Sequence, residues 1–173
     1  LQILVENGAN INHLNIFNRT ALQEAVIRAN NRIVNYLLQI TRTVSNCDIY
    51  GNNLIFDAIS NGNIDIIKRI ASIKEININQ INNDGNTILH KDIVLKNNEL
   101  ALLLIDFGAD PTILDKEGKS FLFYCISEGI KNISVLQKVV LLGYDINSKN
   151  GQNKTLLMES INCYLHTPKD NVE

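Results

Sequence analysis

Three histidines and three cysteines are the residues of this chain best suited to chemistry, and their spacing argues against most of it. His13, His90 and His166 lie far apart, whereas a zinc site draws ligands from i, i+4 pairs or across a short loop. Cys47, Cys125 and Cys163 are odd in number and lack paired spacing, which favours a reducing compartment over a disulfide framework. The nucleophile candidates have no base close to them in sequence. Neither a phosphate-cradling glycine loop nor a dinucleotide fingerprint is present. Asn18-Arg19-Thr20, Asn132-Ile133-Ser134 and Asn153-Lys154-Thr155 match glycosylation acceptors, but a chain so rich in Asn produces such matches by chance. The net charge of −2 offers no basic footprint to nucleic acid or an anionic membrane. No catalytic residue, metal or cofactor is expected.

The elements that would have to position any site are repeated ones. Thr20, Asn53, Thr87, Ser120 and Thr155 each sit where a side chain can cap a helix start. Their intervals are 33, 34, 33 and 35 residues (53−20, 87−53, 120−87, 155−120). Two residues after each cap comes Leu22, Ile55, Leu89, Leu122 or Leu157, and four further on Val26, Ile59, Ile93, Ile126 or Ile161. A four-residue separation puts both members on one helix face. Between them runs a column of small residues, Ala25, Ala58, Cys125 and Ser160, broken by Asp92. In that column Cys125 reads as inert packing. An unpaired carboxylate buried at Asp92 would cost several kcal/mol or stay protonated. Either the inner helix of that repeat is rotated or shifted enough to let Asp92 reach water or a backbone partner, or a polar contact is kept for a binding partner at a cost in stability. A single pair of short helices cannot bury its own apolar faces, so the period predicts a solenoid.

The best-formed copy runs Asp84-Gly85-Asn86-Thr87-Ile88-Leu89-His90 and later Leu104-Ile105-Asp106-Phe107-Gly108-Ala109-Asp110. It resembles the ankyrin repeat, with its Gly-x-Thr-Pro-Leu-His turn and Leu-Leu-x-x-Gly-Ala-Asp exit. Gly8-Ala9-Asn10-Ile11-Asn12 and Gly143-Tyr144-Asp145-Ile146-Asn147 resemble the same exit. The proline after the cap is replaced throughout, by Ala21, Leu54, Ile88, Phe121 and Leu156. Asn18 and Asn153 stand where the turn glycine is expected, and Asn tolerates the left-handed region better than other non-glycine residues. The resemblance implies an all-α solenoid of helix-turn-helix repeats with protruding β-turns, and a structural hydrogen bond from His90 across its turn.

One domain over residues 1–173 is expected, with a partial repeat at 1–14, repeats at 15–47, 48–81, 82–114 and 115–149, and a partial repeat at 150–173. Helices are expected over Leu1–Asn7, Ala21–Ala29, Arg32–Ile40, Leu54–Asn61, Ile64–Ile73 and Leu156–Tyr164. Ile3 and Leu4 should face the stack, and Gly108 should stop the helix carrying Leu100, Leu103 and Leu104. Two extra residues of the fourth repeat are placed near Gly129–Ser134, and fraying is expected after His166, with Pro168 preventing easy continuation. The first residue is not Met, and Leu1 to Asn12 reads as the second half of a repeat, so the chain looks like a piece of something longer. No signal peptide is apparent, and no apolar run reaches the roughly 18–20 residues of a membrane span.

What such a stack offers is surface. The resemblance places partner contacts on the concave side, at turn tips and on the outward face of each inner helix. Those tips are Ile16, Phe17 and Arg19; Ile49, Tyr50 and Asn52; Asn83, Asp84 and Asn86; Lys116, Glu117 and Lys119. The inner-helix positions are Ile27 and Arg28; Ser60 and Asn61; Val94 and Leu95; Ser127 and Glu128. Phe17, Ile27, Ile49, Tyr50, Val94 and Leu95 put apolar groups where the fold does not require burial, and such patches mark interaction sites. The expected function is a non-enzymatic, monomeric, intracellular scaffold, cytoplasmic or nuclear, that binds another protein through its first three repeats. Composition and eroded turns resemble ankyrin proteins of large DNA viruses, poxviruses in particular. That implies a host-range or immune-evasion adaptor in host cytoplasm, in some members linked to ubiquitin-ligase recruitment. A substrate-recognition arm of an enzyme lying outside this sequence and an architectural spacer are the alternatives.

Overall fold

The computed structural model describes all residues except 42, 92, 93, 95, 128–132 and 167–173. The expectations placed on Asp92, Ile93, Leu95, Glu128, the extra residues around 129–132 and the end of the chain after His166 therefore lie outside the described residues. The fold is an all-α repeat solenoid. Among the described residues no strand forms, and antiparallel pairing is limited to the isolated bridges Leu114–Ser120 and Lys149–Thr155. The chain divides into two compact units, Leu1–Asp84 and Gly85–Glu173.

The first unit contains α1 (Gln2–Glu6), α2 (Ala21–Ile27), α3 (Asn31–Ile40), α4 (Leu54–Asn61) and α5 (Ile64–Ala71). Each is too short to be stable alone. Their stability comes from pairing: α2 packs on α3, α4 on α5, and α2 on α4. The core holds Leu22, Val26, Ile55 and Ile59 from the inner helices with Val34, Leu37, Ile67 and Ile70 from the outer ones. Each fully buried side chain of this size contributes about 1.5–3 kcal/mol. Thr20 starts α2 with a capping box: its Oγ1 accepts from the Gln23 N–H at 3.3 Å while Gln23 Oε1 accepts from the Thr20 N–H at 3.1 Å. At the start of α4 Asn53 behaves differently. Its side chain makes no cap and instead donates to the Asn77 carbonyl at 2.8 Å, tying down the loop after α5.

Asn18 adopts φ 59°, as expected of a glycine substitute. Ala29 is also left-handed, at φ 51°, and this is why α2 stops at Ile27 rather than continuing to Ala29. Position 62, one period later, does the same job with glycine at φ 69°. Alanine is strained in that region and glycine is not. Ala29→Gly is expected to stabilise the protein by about 0.5–1 kcal/mol, read as a higher urea midpoint at unchanged slope; a lower midpoint would show that the turn carries no such strain. The structure corrects one placement here: Ile3 and Leu4 are exposed, not packed. Among the described residues no helix packs on α1 as α3 packs on α2, and within α1 only Val5 is half-buried.

The second unit contains a 3₁₀ turn (Ile88–His90), α6 (Asn98–Asp106), α7 (Phe121–Ser127), α8 (Ile133–Leu141) and α9 (Leu156–His166). Helix α7 packs on α8 and α9, and α6 on α8. Leu100 and Leu104 of α6 are buried, Leu103 is half-buried, and Gly108 ends the exit at φ 94°. Leu122, Cys125, Val135 and Val139 complete the core. Gly118 and Gly151 allow two successive turns to touch: the Gly151 N–H donates to the Gly118 carbonyl at 2.7 Å, and a Cβ on Gly118 would lie 2.6 Å from Gly151 Cα. A second correction concerns α9. Leu157 and Ile161 fall in the apolar columns yet are exposed, and Leu156 is buried in their place. Column residues become core only when a helix covers them, and among the described residues none covers that side of α9.

Candidate functional site

One column of short polar side chains builds the turn that precedes each cap position. Asn15, Asp48, Asn82, Asp115 and Asn150 each lie five residues before a cap position. The side-chain oxygen of each accepts the N–H two residues on, from Phe17, Tyr50, Asp84, Glu117 or Gln152, at 2.8–3.1 Å. In Asn15, Asp48, Asp115 and Asn150 it also accepts the N–H four residues on, at 2.9–3.0 Å. These are Asx turns, in which a side chain replaces a backbone acceptor.

Where the column carries Asp rather than Asn, the second oxygen takes another partner. Asp48 Oδ2 accepts from Arg19 Nη2 at 2.7 Å and Nε at 3.2 Å, with the Asp48 side chain wholly buried. Asp115 Oδ2 accepts from the Tyr124 hydroxyl at 2.6 Å. Burial acts to raise the Asp115 carboxyl, but Tyr124 and the N–H groups of Lys119 and Glu117 hold it below the ordinary carboxylate value. The Tyr124 phenol is pushed up, by burial first and then by Asp115.

His90 does what its place in the motif implied. Its Nδ1 accepts from the Thr87 N–H at 3.2 Å and lies 2.9 Å from Thr87 Oγ1. Burial lowers its pKa against the opposing pull of Asp115, so it is held as the neutral imidazole, edge-on to Tyr124 with ring centroids 5.9 Å apart. The arrangement is a structural staple. Cys125 is buried, and burial pushes its thiol up to about 12, which suits packing and not nucleophilic chemistry. Among the described residues no cluster of three His, Cys, Asp or Glu could hold a metal ion, and no helix is long and apolar enough to cross a membrane.

The turn tips of the first unit form a ridge. The Ile49 N–H donates to the Phe17 carbonyl at 3.1 Å, the Asn83 N–H to the Tyr50 carbonyl at 2.9 Å, and Asn83 Nδ2 to the Ile49 carbonyl at 3.0 Å. This ladder brings Ile16 and Phe17 beside Ile49 and Tyr50, with Asn83 and Asp84 on the next tip. Ile16 is 88 %, Phe17 40 %, Ile49 48 % and Tyr50 50 % exposed. Asn83, Asp84 and Arg28 are exposed, whereas Ile27 and Asn52 are half-buried. Arg19 is half-buried too, its guanidinium ion-paired to Asp48 and 5.8 Å from the centre of the Phe17 ring. Val94 is a correction. It was expected on the surface but is 1 % exposed, because the repeat opens with the 3₁₀ turn Ile88–His90 and not the regular helix that placed Val94 outward. Leu95 lies outside the described residues.

Sequence reasoning missed two features that the period could have supplied. Asn30, Asn63 and Asn97 cap the outer helices by accepting from Ile33, from Asp65 and Ile66, and from Leu100; their intervals are 33 and 34 (63−30, 97−63). The Asx column repeats likewise. A third feature had no such signal. Asp57 of α4 is 4 % exposed, with Gln23 Nε2 donating to its Oδ2 at 3.3 Å. Burial pushes its carboxyl up to about 7, and neighbouring Asp48 and Glu24 act in the same direction while Arg19 and Gln23 oppose them.

The family model for ankyrin repeats, in three copies, matches residues 1–82 and 58–150. The chain belongs to the ankyrin-repeat family. Among its relatives are ankyrin repeat proteins of Acanthamoeba polyphaga mimivirus, 27 % identical over 91 % of this chain and 19 % of the relative, and of fowlpox virus, 25 % identical over 80 % of this chain and 23 % of the relative. An ankyrin repeat protein of Escherichia coli is 29 % identical over 79 % of this chain and 70 % of its own length. The similarity to poxviral and other large-virus proteins is thus real, and bacterial and animal proteins share it. The chain spans about a fifth of the length of the mimivirus relatives. Ankyrin repeats are in general protein–protein interaction modules, and solenoids of this kind present extended surfaces to partners.

Proposed function

We propose that this protein is a non-enzymatic interaction scaffold that binds another protein through the turn ridge of its first unit. The observation that carries the reading is the exposure of Ile16, Phe17, Ile49 and Tyr50 on adjacent tips. Turn tips on a polar scaffold need no apolar groups, whereas the tips of the second unit carry Lys116, Glu117 and Lys119. Aromatic side chains at such places are the usual anchors of an interface, each worth about 2 kcal/mol or more when truncated. The narrower role of an adaptor acting on a host protein inside an infected cell is supported by the viral relatives; ligase recruitment rests on the resemblance alone.

The test compares the wild type with a Phe17→Ser, Tyr50→Ser variant and a Lys116→Ser, Glu117→Ser control, all shown by circular dichroism to be folded. A photo-crosslinking residue at position 16 identifies what touches the ridge in cell extract. The expected result is a cross-linked protein whose capture falls at least roughly tenfold in the aromatic variant and is kept in the control. Equal capture by all three would move the contact off the ridge and sink the reading.

A further inference from the structure

We propose that the carboxyl of Asp57, enclosed between α2 and α4, is a proton-sensitive support of the turn ridge, so that its ionisation shifts Phe17 and Tyr50 and tunes the ridge toward its partner. The inference rests on the reading of the ridge as the binding surface.

The argument is one of competing partners. Asp57 accepts from Gln23 Nε2 at a long 3.3 Å, weak support for a buried carboxylate, which is stabilised by several short donors. The Gln23 amide cannot turn to improve on this. Its Oε1 already accepts from the Thr20 N–H and from Asn46 Nδ2, both at 3.1 Å. The cation acting on Asp57 is Arg19, and two hydrogen bonds commit Arg19 to Asp48. An ionised Asp57 therefore pulls on Gln23, which also holds the Thr20 N–H and Asn46, and acts through charge on the guanidinium that Asp48 binds; a neutral Asp57 relaxes both.

Both ends of that contest touch the ridge. Arg19 lies against the Phe17 ring. The other oxygen of Asp48 holds the N–H groups of Tyr50 and Asn52. The charges bearing on Asp57 are Arg19 from the first turn, Glu24 from α2, and Asp48 from the second turn, beside the Cys47 thiol. The thiol is itself raised, by burial and then by Asp48 and Asp57, and so stays neutral around pH 7. Helix α5, packed on the same helix, carries Asp65, Lys68 and Arg69 on its exposed side, and none of them figures among the charges acting on Asp57. With the Asp57 carboxyl raised to about 7, the contest is decided within the ordinary range of cellular pH.

Carbon-detected NMR of the whole chain reads the Asp57 carboxyl and the amides of Phe17, Ile49 and Tyr50 together, from about pH 5.5 to 8.5. The expected result is one shared midpoint near 7 in the wild type and flat ridge amides in Asp57→Asn. An Asp57 carboxyl titrating near its ordinary value of 3.8, or ridge amides that stay still while it titrates, would overturn the proposal. Ridge amides that shift equally in Asp57→Asn would overturn it too. Should the variant fail to fold, co-titration in the wild type still decides. The measurement needs no partner, so a flat ridge with cross-linking intact removes this inference and leaves the binding reading standing.

Discussion

Asp48→Ala is expected to destabilise the first unit by about 3 kcal/mol, the lower end of the range for breaking a buried ion pair. Three losses combine. The N–H groups of Tyr50 and Asn52 lose their acceptor, the Arg19 guanidinium loses both hydrogen bonds, and a half-buried cation is left without its counter-charge. The lower end is appropriate because the Arg19 side chain retains 21 % of its exposure, so water recovers part of its charge. Asp48→Asn separates the contributions. Asn serves the same turn at positions 15, 82 and 150, so this variant should keep the turn and lose only the ion pair, at about 1.5–3 kcal/mol. Urea unfolding followed by circular dichroism measures both. An Asp48→Ala loss below about 1 kcal/mol, the scale of an ordinary exposed pair, would mean that the ridge does not depend on this carboxylate.

Asp57→Asn is expected to stabilise the protein, and to do so more as pH rises. The folded carboxyl is raised to about 7 from 3.8. A carboxyl raised by folding favours the folded state while protonated, and that advantage is lost as pH climbs from the unfolded value through the folded one. Above pH 7 the wild type therefore carries the whole cost of an ionised, poorly partnered group. The difference of about three units corresponds to about 4 kcal/mol, and relaxation around the site makes about 2–4 kcal/mol the expected gain at pH 8. Near pH 4 the amide and the neutral acid are close to isosteric, and the gain should fall toward zero. Asp115, lowered by its partners, and His90, lowered by burial, act in the opposite sense on the wild-type profile. The quantity to measure is therefore the stability difference between variant and wild type at pH 5, 6, 7 and 8. A difference that is constant across that range would show that Asp57 does not titrate there.

Asp57 also marks where sequence reading stops. In sequence, position 57 belongs to the column Glu24, Asp57, Lys91, Tyr124 and Glu159, in which nothing singles out Asp57. The carboxylate that stood out was Asp92, because it interrupted a column of small residues. Burial of Asp57 comes from the preceding repeat, through Gln23, which is 34 residues away in the chain. A column describes what a position does on its own helix, and says nothing of which side chain the neighbouring repeat lays over it. Val94 failed for the related reason that a helical register was extended through a segment that begins as a 3₁₀ turn.

What the sequence determined by itself was the repeat and part of the local geometry; the caps Asn30, Asn63 and Asn97 and the Asx column are just as local and went unread. The left-handed Asn18 and Asn153 and the staple between Thr87 and His90 follow from residues within a few positions of one another. Those interactions depend on backbone geometry that neighbouring residues impose. Tertiary structure alone decided the pairing of Arg19 with Asp48, the enclosure of Asp57 and the exposure of Leu157 and Ile161. Each of these depends on what the adjacent repeat places within reach, or fails to place there. Repeats alike in pattern differ in the side chains they turn toward one another, and those differences set both the charge network and the surface left open.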